Sequence, residues 1–153
     1  PVMEKAAKVL NDFCIPFEIN ALSAHRTPAE VESFAKNAQK RGIEVIIAGA
    51  GMAAHLPGVI AAMTPIPVIG VPINASLDGM DALLAIAQMP PGIPVATTAI
   101  NGAMNAGILA AQILAIGDNA LKAKIVDFKE SLKKKIVDAN NELAKVKYDY
   151  KTN

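Results

Sequence analysis

Two long runs of this sequence contain no Asp, Glu, Lys or Arg, namely residues 45–77 and 82–117. A run of this length without charge can be a membrane span. Here Pro, Gly and Asn interrupt both runs, so neither is a continuous apolar helix. Parallel strands that are covered on both faces also read as uncharged runs. The missing charge therefore indicates deep burial inside a globular chain or against other subunits, and no membrane span.

The sequence also has few cysteines and a small net charge. The single cysteine, Cys14, excludes an internal disulfide and fits a reducing compartment such as the cytoplasm. The net charge of +1 gives no electrostatic basis for binding a polyanion such as nucleic acid. At the N-terminus, Glu4, Lys5 and Lys8 lie among apolar residues, as in an amphipathic helix and unlike a signal peptide. We therefore expect a cytoplasmic protein that binds neither nucleic acid nor membrane.

Hydrophobic patterning predicts helices that alternate with short strands. Helices are predicted over residues 2–13, 55–63, 79–89 and 103–116. A further helix is predicted between Thr27, as its N-cap, and Gly42, which would stop it. Strands are predicted over residues 17–22, 43–48, 67–71 and 94–99, with a glycine-rich loop at 49–53. This alternation predicts βαβ units and a parallel sheet.

Residues 118–147 have a different pattern. Their apolar residues recur at spacings of three and four, and Lys and Glu occupy the other positions, which predicts one long amphipathic helix. We interpret the lysine run at 133–135 as a solvated face and not as a nucleic-acid patch. The chain is thus divided into an α/β domain over residues 1–117, which would hold any active site, and a C-terminal helix and tail over 118–153. That helix would pack on the core or on a neighbouring subunit.

The chain has two histidines, and each follows a predicted strand and precedes a predicted helix. Ligands of open α/β sheets bind at this edge. His25 can transfer a proton near neutral pH. Arg26, beside a helix N-terminus, can hold a phosphate. The residues alone leave open that Ser23 and Thr27 only cap the helix and that Arg26 is a surface charge.

His55 belongs to a second segment, residues 49–58, which is rich in Gly and Ala. Small residues let a ligand approach the backbone closely, and free N–H groups can bind an anion. The segment matches neither a Walker loop nor a dinucleotide-binding fingerprint. Two histidines thirty positions apart, with no clustered Cys or carboxylates, also make a poor set of metal ligands, so we expect no metal site.

Four segments together resemble the N5-carboxyaminoimidazole ribonucleotide mutase family, which is the phosphoribosylaminoimidazole carboxylase catalytic subunit family, in its bacterial and archaeal class. The first is Ser-Ala-His-Arg-Thr-Pro at 23–28, and the second ends in Ala-Ala-His-Leu-Pro-Gly at 53–58. The third joins Asp-Gly-Met-Asp-Ala-Leu-Leu at 78–84 to residues 88–97, and the fourth is Asn-Ala-Gly-Ile-Leu-Ala-Ala at 105–111. The segments have the family's order and spacing across residues 1–117.

The resemblance implies a three-layer α/β/α flavodoxin-like fold with a parallel sheet, and a homo-octamer with active sites at subunit interfaces. It implies an isomerase of de novo purine biosynthesis that converts N5-carboxyaminoimidazole ribonucleotide to 4-carboxy-5-aminoimidazole ribonucleotide through trapped CO2, with no metal and no organic cofactor. His25 would be the general acid and base, and Arg26 would bind the ribose 5′-phosphate. The remaining residues of the nucleotide and CO2 pocket would be Ser23, Ala50, Gly51, His55 and Leu56.

The sequence departs from the family at its start. The family opens with a strand and a Gly-Ser-x-Ser-Asp loop that contacts phosphate, and this sequence begins at Pro1, where that loop would end. The first central strand is therefore missing from this sequence, and we expect the natural protein to have it. Three alternatives stay open: an aminoimidazole ribonucleotide carboxylase that uses free CO2, a non-catalytic α/β assembly subunit if the loop is absent, and a generic phosphosugar-binding domain.

Overall fold

A computed structural model describes residues 1–153, which form two units, Pro1–Leu114 and Ala115–Asn153. The helices are α1 (Glu4–Asp12), α2 (Pro28–Ala38), α3 (Leu56–Met63), α4 (Met80–Ala87), α5 (Ala103–Leu114) and α6 (Asn119–Lys145). The strands are β1 (Ile46–Gly51), β2 (Val68–Ile73) and β3 (Ala96–Thr97). Short 3-10 turns follow α2 at Gln39–Arg41 and precede α4 at Leu77–Gly79. Every predicted helix is present.

The three strands form one parallel sheet in the order β1-β2-β3. Side chains of β2 alternate between its two faces. Val68 packs in a cluster with residues of α2 and α3, whereas Ile69 and Val71 pack with alanines of α1 and α5. Helices therefore cover both faces of the sheet, and the three-layer α/β/α fold predicted for this chain is confirmed.

The environment of strand β2 explains part of the run without charged residues at 45–77. Five of its six residues are buried, since helices cover it on both faces. Gly70 in its centre lies so close to α4 that an added Cβ would be 2.3 Å from Cγ2 of Ile86. A charged or bulky residue on this strand would have no space and no water.

The strand boundaries differ from the predicted ones. Residues 17–22 form no strand, because they pair with no neighbour in the structure. Strand β1 begins at Ile46 and includes residues 49–51, which were predicted to be loop, because β2 pairs with it as far as Gly51. Strand β3 has only two residues. Pro94 has no N–H to donate to a neighbour, which weakens pairing at its start.

Helix α6 is the main element of the second unit and has 27 residues. The Asp118 side chain accepts a hydrogen bond from the N–H of Leu121 at 3.0 Å and caps its first turn. Leu121 and Ile125 are buried, whereas Ile136 and Leu143 further along are 70% and 64% exposed. The apolar stripe of this helix is thus uncovered over its C-terminal half. None of the helices combines the length and the apolar character that a membrane span requires.

Candidate functional site

Residues 23–27, here called the His25 loop, are closed by hydrogen bonds between their two ends. The Thr27 hydroxyl accepts from the Ser23 N–H at 2.9 Å and donates to the Ser23 carbonyl at 3.1 Å. The Thr27 N–H donates to the same carbonyl at 2.9 Å. Ser23 Oγ accepts from the Arg26 N–H at 3.2 Å. The loop therefore presents the side chains of His25 and Arg26, which are both exposed, from a closed backbone ring.

Thr27 is the N-cap residue of α2, but its side chain does not cap the helix. The N-cap position of Thr27 and the place of Pro28 in the first turn are as predicted. The hydroxyl bonds with Ser23 instead, so it serves the loop and not the helix. Both of its hydrogen-bonding capacities, donor and acceptor, are used within the loop.

Residues 51–55, here called the His55 loop, lead from β1 into α3 and are held mainly through the backbone. The His55 N–H donates to the Ala53 carbonyl at 2.8 Å, and the His55 carbonyl accepts from the Val59 N–H at 3.0 Å. Gly51 lies against the segment that follows β2, since an added Cβ would be 2.9 Å from Cβ of Ala75. His55 takes the N-cap position of α3, and its side chain makes no capping bond. Its imidazole is therefore available for other contacts.

The two loops bring His25 and His55 into contact. His25 Nε2 lies 2.8 Å from His55 Nδ1, although the residues are 30 positions apart. The ring centroids are 4.8 Å apart at an interplanar angle of 77°, so the rings meet edge to face. Sequence reasoning placed both histidines at one edge of the sheet but did not predict this hydrogen bond. The sequence feature that pointed towards this contact was the position of each histidine between a predicted strand and a predicted helix.

The contact limits how many protons the two rings can hold. A neutral imidazole has one N–H, so one nitrogen of the contact donates and the other accepts. One extra proton on the pair still leaves a single N–H between the two nitrogen atoms. A second extra proton would point an N–H at an N–H and break the contact. The contact is therefore compatible with one extra proton on the two rings and not with two.

Arg26 lies next to the pair in sequence and has no ion pair or hydrogen-bond partner for its guanidinium in the structure. It precedes the 11-residue helix α2 by two positions. The N-terminus of a helix attracts anions through its free N–H groups and its dipole. An unpartnered guanidinium at that place can bind a phosphate group through two parallel hydrogen bonds.

The other predicted pocket residues lie around the His55 loop. Ala50 and Gly51 end β1, and Leu56 begins α3. All three are partly buried. Leu56 packs against the core cluster beside α2 and α3, and Ala50 packs against a cluster with α4, so both also support the fold. The structure contains no group of three or more His, Cys, Asp or Glu side chains that could hold a metal ion.

Comparisons with known proteins agree on one family. The family model described as AIR carboxylase matches residues 1–135. N5-carboxyaminoimidazole ribonucleotide mutase from Thermotoga maritima is 53% identical over 149 residues, which are 97% of this chain and 87% of that protein. The mutase from Pyrococcus abyssi is 58% identical over 88% of this chain and 78% of its own length. The crystal structure of Treponema denticola PurE superposes with a TM-score of 0.82 at 28% identity, covering 93% of this chain and 89% of that one.

Proposed function

The chain belongs to the AIR carboxylase family, and on this basis we propose that it is an N5-carboxyaminoimidazole ribonucleotide mutase, an isomerase of purine biosynthesis. Relatives with this name are 53% and 58% identical to it over most of the chain. The observation in the structure that supports this chemistry is the hydrogen bond between His25 and His55 at 2.8 Å, beside the unpartnered Arg26. The site thus combines a proton-transferring group, His25, with an anion-binding group, Arg26.

His25 is the proposed general acid and base. The reaction moves a carboxyl group from the exocyclic nitrogen N5 of the substrate to the ring carbon C4. His25 protonates N5 as the N–C bond breaks and CO2 forms. After C4 has attacked CO2, His25 removes the C4 proton, so the enzyme ends with the proton it began with. One imidazole suits both steps, because the first step leaves it ready to accept a proton in the second.

His55 is proposed to hold the His25 ring and to stabilise its changes of charge. When His25 carries the extra proton, its Nε2–H donates to Nδ1 of His55 across 2.8 Å. When His25 is neutral, the same contact selects which of its nitrogen atoms has the proton. The outer nitrogen, Nδ1, is then the atom that exchanges a proton with the substrate. Loss of His55 should therefore weaken catalysis without abolishing it, because the His25 imidazole is still present.

Arg26 is proposed to bind the ribose 5′-phosphate of the nucleotide. Its guanidinium is exposed and unpartnered, and the adjoining N-terminus of α2 favours negative charge. Ser23, Ala50, Gly51, His55 and Leu56 are proposed to line the pocket for the aminoimidazole ring and CO2. Small and apolar residues suit a site that must keep free CO2 away from water.

We further propose that the chain assembles as a homo-octamer in the cytoplasm, with each active site closed by a neighbouring subunit. Both histidines are exposed in the single chain, whereas trapped CO2 needs a closed site. The two uncharged runs also carry exposed apolar side chains, among them Met52 at 61%, Leu77 at 76% and Met104 at 46%. A surface without charge can pack on its own copy without bringing like charges together. The number eight is taken from the family resemblance.

The experiment that tests this function is turnover of N5-carboxyaminoimidazole ribonucleotide by the full natural protein and by its His25→Asn variant. We expect the variant to lose about 10³-fold or more in kcat, equal to about 4 kcal/mol of barrier lowering. His55→Asn should lose about 10²-fold, because His25 remains. Lys40→Gln, a change of an exposed residue beyond α2, is the control and should keep full turnover.

Other outcomes would replace the proposal. Wild-type protein that ignores this substrate but carboxylates aminoimidazole ribonucleotide with bicarbonate would be a carboxylase. Wild-type protein that does neither would keep the fold of the family without its reaction. An unimpaired His25→Asn variant would refute the role of His25, whichever reaction the wild type performs.

A further inference from the structure

Asn101 has an unusual backbone conformation and two hydrogen bonds, and the proposed function does not account for either. Its φ is 58°, in the left-handed region that Asn tolerates better than most residues. Its N–H donates to the Pro72 carbonyl at 2.8 Å. Its side-chain Oδ1 accepts from the Asn74 N–H at 3.0 Å. Asn101 therefore ties the turn after β3 to the end of β2 and to the first residue beyond it.

The segment that Asn101 holds lies against the His55 loop. Gly51 is opposite Ile73 in the ladder between β1 and β2. A Cβ on Gly51 would be 3.1 Å from the Ile73 carbonyl and 2.9 Å from Cβ of Ala75. The backbone at Gly51 thus rests directly on residues 73–75. Four residues later in the chain is His55, whose ring contacts His25.

The same segment continues into a strained turn that needs support from its surroundings. Leu77, Asp78 and Gly79 have φ values of 44°, 53° and 81°, so three successive residues are left-handed. Conformations of this kind persist only where neighbouring structure holds them. Ile100 packs on Gly79, where an added Cβ would be 2.6 Å from its Cγ2. Ile100 and Asn101 therefore hold the two ends of residues 74–79.

We propose that Asn101 is a positioning residue for the active site. By fixing Asn74, it fixes Ala75 and Gly51, and thereby the approach of His55 to His25. The inference rests on the proposed function, because it assigns Asn101 an effect on the proton-transferring pair. Asn101 makes its hydrogen bonds with Pro72 and Asn74 and has none with His25, His55 or Arg26. Its effect should therefore appear mainly in kcat and much less in KM.

Two variants separate the side-chain hydrogen bond from the backbone conformation. Asn101→Gly removes the side-chain acceptor, while glycine still readily adopts a φ near 58°. Asn101→Asp keeps both the acceptor and tolerance of the left-handed region. We expect Asn101→Gly to lower kcat roughly tenfold, because small displacements of catalytic groups are costly, with KM changed less than about twofold. Asn101→Asp should recover kcat to within about threefold of the wild type.

Two further measurements exclude a general loss of structure. Hydrogen exchange at the Asn74 amide should be faster in Asn101→Gly and restored in Asn101→Asp, with an unchanged melting temperature for the Asp variant. In a His55→Asn background, Asn101→Gly should lower kcat little further, because the residue through which it acts is gone.

Each contrary result has a definite meaning. If the wild type is active and Asn101→Gly matches it in kcat, the positioning role is wrong while the proposed function stands. The role is also wrong if Asn101→Asp fails to recover kcat, or if Asn101→Gly costs as much without His55 as with it. If the wild type does not turn over the nucleotide, the proposed function fails, and this inference fails with it.

Discussion

The His25 loop is held by hydrogen bonds of its own side chains, whereas the His55 loop is held by close backbone packing that side chains would obstruct. In the first, the Thr27 hydroxyl and Ser23 Oγ make three hydrogen bonds within five residues. In the second, Gly51 has no side chain, and the Ala75 Cβ and the Ile73 carbonyl oxygen lie against the space where one would be. The two loops nevertheless place their histidines 2.8 Å apart.

Because they are held differently, the two loops should be disrupted by opposite kinds of substitution. A loop held by hydroxyl groups is sensitive to loss of a polar atom, because a buried or half-buried N–H is left without a partner. A loop held by close approach is sensitive to an added methyl group, because neither backbone can move away. Changes at Gly51, Thr27 and Glu32 distinguish these two kinds of failure.

Gly51→Ala should have the largest effect of the three. The new Cβ would be 2.9 Å from Cβ of Ala75 and 3.1 Å from the Ile73 carbonyl, so the His55 loop must shift. We expect kcat for the nucleotide to fall about 10²-fold and the free energy of unfolding to fall by about 1–3 kcal/mol. Steady-state kinetics and thermal unfolding measure the two effects.

Gly117→Ala is the matched control, since an added Cβ there has nothing within 4 Å. It should leave both quantities unchanged within error. Full activity of Gly51→Ala would show that the His55 loop is not held by close approach, and the contrast between the loops would disappear.

Thr27→Val should have an intermediate effect. It keeps the shape of the side chain but removes the acceptor for the Ser23 N–H at 2.9 Å and the donor to the Ser23 carbonyl. We expect the free energy of unfolding to fall by about 1–2 kcal/mol and kcat/KM to fall roughly tenfold as the loop opens. Urea unfolding and steady-state kinetics are the measurements.

The control for Thr27 is Thr27→Ser, which keeps the hydroxyl and should stay close to the wild type. A Val variant as stable and active as the Ser variant would contradict the idea that this hydroxyl closes the loop. In that case the backbone bond between Thr27 and Ser23 would be sufficient.

Glu32→Gln should have the smallest effect. It tests whether a change within α2 alters stability without altering the His25 loop and its activity. The Lys36 ammonium, through its hydrogen bond and its charge, lowers the pKa of the exposed Glu32 carboxyl below its ordinary value. A lowered pKa stabilises the fold above the pKa of the unfolded chain, and this contribution is lost as pH falls through the folded-state pKa. The wild type should therefore melt slightly above Glu32→Gln at pH 7, and the difference should shrink and then vanish as pH falls through the lowered folded-state pKa of Glu32.

Salt provides the check on this last prediction. The difference should also shrink in 1 M NaCl, because exposed pairs are screened there, and kcat should be unaffected throughout. A difference that persists at low pH would mean that the ion pair is not its source. A change in kcat would mean that α2 and the His25 loop are coupled more tightly than their hydrogen bonds indicate.

Helix positions could be predicted because their signals are local. Pro28 starts α2, and Gly42, with a φ of 80°, ends the short turn that follows it, as the sequence indicates. Strand positions could not be predicted to the same precision, because a strand exists only where a neighbour pairs with it. Strand β1 extends to Gly51 because Ile73 lies opposite, and residues 17–22 have suitable residue types but no partner.

The candidate site divides in the same way. Local sequence patterns were sufficient to predict the order of the helices, the uncharged runs that become buried strands and helices, and the two segments that contain His25, Arg26 and His55. Three contacts became visible only in the folded chain: the hydrogen bond between the two imidazoles, the closure of the His25 loop by Thr27, and the bond from the Asn74 N–H to Asn101. These contacts depend on how distant segments pack in three dimensions, and a local pattern of residues has no information about distances between such segments.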